Sequence, residues 1–458
     1  MSASGLELAR QTMADGDVHE LAIEVFSHNY SLLESGETGV ISEDEVEPVT
    51  GLARLDDVDV DSEASREALG ACAVVKLNGG LGTSMGMSRA KSLLPVRGDR
   101  SFLDMIALQV LAARTRHAVR LPVLFMNSFR TRDDTLAALE AYPDLPVDGV
   151  PLDFLQNREP KLLADDLTPV RWPADPSLEW CPPGHGDLYT ALEASGTLGR
   201  LLDAGYRYAC VSNADNLGAS PDARMAGWFA GSGAPYAAEV CRRTPADRKG
   251  GHLVRRRSDG RLVLRETAQT RDEDAERAAD IDRHPYFHTN NLWFDLRVLA
   301  DTLSERDGVL GLPLIRNEKT VDPTDPSSPR VVQVETAMGA AVEVFDGAQA
   351  IEVGRERFLP VKTTNDLLVM RSDVYSVADD GTLDRTVDDV PLVDLEPDLY
   401  AGIDGFDERF PHGPPSLRRA RRLTVEGDWT FGADVVVTGE AVLGSEGGRV
   451  PDGSVVGD

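Results

Sequence analysis

From about residue 71 to 375, short apolar runs rich in β-branched residues alternate with longer amphipathic stretches, and few folds accept that order. CAVVKL is followed by FLDMIALQVLAARTR, and LPVLFMN by TRDDTLAALEAY; later runs are PLDFLQN, YRYACVSNAD, PYAAEVCRR and NNLWFDL. Strands separated by helices of this length predict an α/β architecture, a mixed but mostly parallel sheet covered on both faces. The pair GGHLVRR and GRLVLRE, meeting at Gly260, reads as a hairpin added at one edge.

The flanks differ. Residues 1–70 begin as a helix with Leu21, Ile23, Phe26, Tyr30 and Leu33 on one face, then turn acidic and irregular. Residues 376–458 form a linker and a small C-terminal domain. There Leu423, Trp429, Val435 and Ala441 recur every six residues, as do Val425, Phe431, Val437 and Leu443. With Gly427, Gly432 and Gly439 between them, they predict a short left-handed β-helix, although an antiparallel hairpin would also alternate with period two.

Composition excludes several classes. A net charge of −30 opposes binding to nucleic acid. Residues 34–63 and 373–408 carry −10 and −11 of it and read as solvated faces flanking a less acidic core. No window approaches the ~18 apolar residues of a membrane span. The N-terminus lacks a basic-then-apolar signal, and Cys72, Cys181, Cys210 and Cys241 have no metal-ligand spacing. A cytoplasmic enzyme with reduced thiols is expected.

Residues 74–92, VVKLNGGLGTSMGMSRAKS, end an apolar run in a turn containing Gly79, Gly80, Gly82 and Gly86. Glycine permits positive φ and lets backbone N–H groups approach a phosphate. Neither common phosphate loop fits. A Walker loop needs Gly before Lys-Ser/Thr, and Ala90 precedes Lys91; G-x-G-x-x-G fails because glycine returns only at Gly86. The chain has 41 arginines and six lysines, so a retained lysine marks a place for a compact ammonium. Lys91 beside the loop and Lys362 after Phe358-Leu359-Pro360-Val361 are the two chosen.

Other polar clusters fall where strands should end, the side on which α/β sheets bind ligands. Asn213-Ala214-Asp215-Asn216 offers a carboxylate for a hard cation or, more plainly, an Asx-turn. Gln156-Asn157 offers amides to a base edge. Pro182-Pro183-Gly184-His185-Gly186-Asp187 makes a rigid turn projecting His185, and His288-Thr289-Asn290-Asn291 offers amides for hydroxyl groups or simply for a turn.

Together LNGGLGTSMG, AKS, FMNSF…T-x-DDT, PPGHGD, VSNADNLGA, KGG, TNNLW, Q-x-ETA-x-GAA and RFLPVKTTNDLL resemble the UTP–glucose-1-phosphate uridylyltransferase, or UDP-glucose pyrophosphorylase, family. They keep their order over about two thirds of the chain. The resemblance implies a Rossmann-like nucleotidyltransferase core and the reaction UTP + glucose 1-phosphate ⇌ UDP-glucose + pyrophosphate, with Mg²⁺ as cofactor. A broad UDP-sugar pyrophosphorylase and a catalytically silent nucleotide-sugar-binding protein are the alternatives.

By the same resemblance, Leu77, Asn78, Gly79, Gly80 and Lys91 hold the nucleotide. Gln156 and Gly184 read uracil, the bare Gly184 letting the base approach. His185, Asn213-Ala214 and Asn290 hold glucose 1-phosphate. Asp215 ligates Mg²⁺, and Lys362 reaches the α-phosphate. Three departures stand out. Met87-Ser88-Arg89-Ala90 replaces a usual Gly-Pro before the lysine, with Arg89 as an added phosphate contact. His288 replaces a usual asparagine. The C-terminal domain is shorter than in many relatives, which leaves a homo-oligomer through it open.

Overall fold

Val74 and Val75 point to opposite faces of one strand, and both are buried. The computed structural model in which they lie describes residues 2–458 apart from 245, 246, 248 and 249; Lys249 of the KGG run therefore lies outside the described residues. Their strand, Cys72–Asn78, is central in the large sheet, parallel to Tyr208–Asn213 on one side and Val123–Asn127 on the other. Asp153–Leu155 continues the parallel set. Cys72 and Val74 join Phe102, Ile106 and Phe125 in one apolar core, while Ala73 and Val75 join Met126, Leu188 and Tyr189 in a second. Burial on both faces is why this run reads as continuously apolar.

The helix Phe102–His117 covers the first face. Ser101 caps it by accepting the Asp104 N–H, and Asp104 accepts the Ser101 N–H in return.

The expectation of a mostly parallel sheet is corrected beyond this set: the sheet is mixed and only partly parallel. The ten-residue strand Tyr286–Asp295 lies between Tyr208–Asn213 and Tyr236–Arg242 and runs antiparallel to both. The His252–Arg256/Leu262–Arg265 hairpin forms at the edge as predicted, and it also pairs with Tyr286–Asp295. Two short 3₁₀ turns and the single-turn helix Ala275–Ala278, not a long crossover helix, connect the hairpin to that strand, and such links favour reversal.

The N-terminal segment is woven into this body. Ile23, Phe26, Tyr30 and Leu33 of the helix Glu20–Glu34 pack with Leu162, Leu314 and Val332. Val46–Pro48 pairs with His252–Arg256 at the sheet edge. Glu43 departs from the solvated-face reading, being 1% exposed. Burial opposes its ionisation, but hydrogen bonds from Arg265, Arg283 and His284 outweigh it and hold the carboxyl at about 2.

In the tail, Leu392–Leu395, Ser416–Val425, Val436–Leu443 and Val455–Gly457 pair side by side, all in parallel. Leu423 stands opposite Ala441 and Val425 opposite Leu443, a register of three hexapeptides. Parallel pairing rules out the hairpin alternative. Leu423, Phe431, Val437 and Ala441 are buried. Among the described residues no helix is long and apolar enough to cross a membrane.

Candidate active site

The C-terminal ends of the parallel strands open onto a cleft of about 320 Å³. Leu77, Asn78, Gly79, Gly80, Lys91, Gln156, Gly184, His185, Asn213, Ala214 and Asp215 all line it. Met126, Ser92 and Pro182 line it too; they fall within the motifs quoted above, but none was given a role from the sequence.

The glycine loop is shaped by its anchors. Asn78 Nδ2 donates to Asn127 Oδ1 (2.8 Å) and Thr135 Oγ1 (2.9 Å), so this side chain is spent on holding the loop to the next strand. Gly82 and Gly86 have φ of 64° and 70°, which glycine adopts without strain. The Lys91 N–H closes the loop on Gly80 O at 3.0 Å. Gly80 has open space where a side chain would stand, leaving its backbone accessible from the cleft.

That closure brings Lys91 Nζ to 2.6 Å from Asp215 Oδ2 and lets it donate to Val361 O. Asp215 is placed by its own backbone: the Ala214 N–H donates to Leu77 O at 3.0 Å, and Val361 N–H to Asp215 O at 3.2 Å. Asn216 reinforces the arrangement. Its Oδ1 accepts from Leu359 N–H (2.8 Å) and Gly218 N–H (3.2 Å), and its Nδ2 donates to Asn291 Oδ1 (3.0 Å) and Arg357 O (3.2 Å). The sequence signal was its place directly after Asp215, but nothing local disclosed its three distant partners, Asn291, Arg357 and Leu359.

His185 receives the Met338 N–H on Nδ1 at 2.9 Å. An accepting Nδ1 leaves the proton on Nε2, so the ring carries a donor as it lines the cleft. Burial pushes its pKa down to about 4, keeping it neutral. His288 Nδ1 lies 3.1 Å from both the Asn290 N–H, a donor, and Asn290 Oδ1, an acceptor, and burial likewise pushes the ring's pKa to about 4. Its ring lies against Gly339.

Two predicted residues do not line the cleft. Asn290 sits in a bulge at φ 58°, with Oδ1 3.1 Å from His288 Nδ1. Lys362 is exposed, and its ammonium lies 5.9 Å from the Phe287 ring centroid. It is nonetheless tethered to the cleft, since the preceding carbonyl accepts from Lys91.

Three of the residues singled out in the sequence also have structural partners within the fold. Gly184 has φ 79°, and a Cβ there would stand 2.6 Å from Thr336 O: glycine is required by packing and backbone conformation. Arg89 pairs with Asp134, Nε to Oδ2 at 3.6 Å, and is otherwise largely exposed. Asn157 gives its side-chain amide to Asp187, at 2.8 Å, so it is not free for a base edge.

For a divalent cation, Asp215 is the available donor. Oδ1 has no hydrogen-bond partner among the described residues, and the side chain is 22% exposed. Those residues contain no group of three or more His, Cys, Asp or Glu side chains built as a metal cage. One carboxylate with substrate phosphates and water suits Mg²⁺, which rarely uses an all-protein cage.

A mixed α/β sheet that presents a glycine loop, Lys91 and the Asp215 carboxylate at its strand ends has the layout of a nucleotidyltransferase. The comparisons name the family: UTP–glucose-1-phosphate uridylyltransferase matches residues 23–438, and the chain belongs to it. UTP–glucose-1-phosphate uridylyltransferase of Solanum tuberosum is 37% identical over 419 residues, 90% of this chain and 84% of the relative. That of Hordeum vulgare is 36% identical over 403 residues, 86% of this chain and 82% of the relative. The UDP-glucose pyrophosphorylase of Leishmania major, solved in open and closed forms, superposes with a TM-score of 0.93 at 42% identity, covering 99% of this chain and 98% of that one.

Proposed function

We propose that this chain performs its family's reaction, transferring the uridylyl group of UTP to glucose 1-phosphate, by in-line attack at the α-phosphorus. A phosphate oxygen of glucose 1-phosphate forms the new bond to that phosphorus as the bond to the bridging β-phosphate oxygen breaks, and pyrophosphate leaves. The nucleophile is already anionic, so no general base is needed; the work is to bring two polyanions together and stabilise charge on the α-phosphoryl oxygens. The observation that carries the reading is the meeting of the glycine loop, Lys91, Asp215, Gln156 and His185 on one cleft.

In this reading the backbone at Leu77–Gly80 and the Lys91 ammonium receive the triphosphate. Gln156 and the Gly184 backbone read uracil. Asn213, Ala214, Asn290 and the neutral Nε2–H of His185 orient glucose 1-phosphate. Lys362, now over Phe287, swings toward the α-phosphate on its flexible stem. Asp215 holds Mg²⁺, which when bound neutralises phosphate charge.

Two finer points belong with this reading. The three-hexapeptide register supports turns of a left-handed β-helix in the tail. Four free cysteines, three of them buried, are in keeping with a reducing cytoplasm.

Pyrophosphate release from UTP, measured against a panel of sugar 1-phosphates, tests the proposal. Turnover with glucose 1-phosphate well above that with galactose 1-phosphate is expected. Equal turnover would favour the broad-specificity alternative, and none with any sugar the silent binding protein.

A further inference from the structure

Gln156 is held from both sides. Its own N–H donates to Asn127 O, at the end of the neighbouring strand, at 2.8 Å. The next residue, Asn157, is gripped twice by one carboxylate: its backbone N–H donates to Asp187 Oδ2 at 2.6 Å and its Nδ2 to Asp187 Oδ1 at 2.8 Å. Asp187 is itself only 5% exposed. The Gln156 amide lies across the glycine loop, so close that a Cβ on Gly79 would stand 2.7 Å from Gln156 Oε1.

Asp187 also belongs to the opposite wall. It opens the helix Asp187–Ala194 directly after Gly184-His185-Gly186, and that turn is pinned by the Gly186 N–H donating to Thr336 O at 2.8 Å. One buried carboxylate therefore joins the two segments that carry Gln156 and Gly184. The pairing demands a carboxylate: two converging donors need two acceptors, whereas an asparagine would turn one N–H group against another. Burial pushes the Asp187 carboxyl up to about 7, and the two Asn157 hydrogen bonds work against that by favouring its charged form.

We infer that Asp187 is a positioning residue that sets the selectivity for uracil by fixing the distance between Gln156 and Gly184. The inference rests on the reading that those two residues recognise the base. Asp187 acts through Asn157 and has no need to touch the nucleotide. Its effect falls on the binding of UTP and on choice among bases, and spares the transfer step and the sugar.

The test measures kcat, the KM for UTP and for glucose 1-phosphate, and the ratio of kcat/KM for UTP over CTP. The proteins are wild type, Asp187→Asn, Asn157→Ala, Gln156→Ala and the Gln156→Ala/Asp187→Asn double variant, with thermal unfolding as the control for folding. Asp187→Asn is expected to raise the KM for UTP about tenfold and lower the UTP preference about tenfold, the scale of one lost charged hydrogen bond. Its kcat and KM for glucose 1-phosphate should stay within about twofold of wild type. Asn157→Ala, which keeps the backbone contact, should do the same to a smaller degree. The double variant should be no less selective than Gln156→Ala alone, since both changes act through one side chain.

If Gln156→Ala lowers the preference while folded Asp187→Asn and Asn157→Ala keep wild-type KM and selectivity, the role given to Asp187 is wrong. If Gln156→Ala leaves the preference untouched, the reading of uracil by Gln156 is what fails. Should Asp187→Asn not fold, the selectivity of Asn157→Ala decides.

Discussion

Lys91 and Asp215, 124 residues apart in the chain, meet at 2.6 Å, and the same ammonium reaches the carbonyl that precedes Lys362. Lys91 is thus joined to the proposed metal ligand by its side chain, and Lys362 only through the backbone of its neighbour Val361, whose N–H donates to Asp215 O. Replacing Lys91 by Ala should lower kcat/KM for UTP by about 10²–10³, the usual loss for one transition-state donor. A steady-state assay at saturating Mg²⁺ checks this.

Asp215→Asn should reduce the rate and raise the Mg²⁺ concentration needed for half-maximal rate by about tenfold or more, because a neutral amide is a poor ligand for a hard cation. A magnesium titration that does not move would place the metal on other groups.

Lys362→Ala separates catalysis from folding. The side chain is exposed and rests on Phe287, a contact worth roughly 0.5–1 kcal/mol at such a site, with Glu266 close enough to feel its charge. The melting temperature should barely change while turnover falls by about 10²–10³. Near wild-type turnover in the folded variant would remove Lys362 from the α-phosphate.

Gly184→Ala should destabilise the protein by about 1–3 kcal/mol, since it forces a side chain into positive φ and against the Thr336 carbonyl. Urea denaturation measures it. A variant as stable as wild type would mean that the turn can relax.

His185 and His288 both have folded-state pKa values of about 4, below the ordinary 6.5. Between those values the unfolded chain binds more protons than the folded one, so stability rises with pH across that window. Their contribution is complete above about 6.5 and is lost as pH falls toward 4. His288→Asn should flatten part of this slope; denaturation midpoints at pH 4.5, 5.5 and 7 compare the two proteins.

The sequence alone determined the local architecture of the site. An apolar run stopping in glycines must be a buried strand delivering backbone, and polar clusters after other apolar runs had to gather at the same sheet edge. Period, turn chemistry and φ preference are local properties, which is why Leu77–Gly80, Gln156, His185 and Asp215 were legible. Tertiary structure alone decided direction and partnership. The ten-residue Tyr286–Asp295 strand runs against its neighbours because of what it pairs with, and its pattern would read the same either way. Arg89 faces Asp134, Asn157 serves Asp187, and Gly184 makes room for Thr336 because the donors, acceptors and walls come from segments distant in the chain. A side chain's composition sets what bonds it can make; the packing of remote segments chooses which of them it makes.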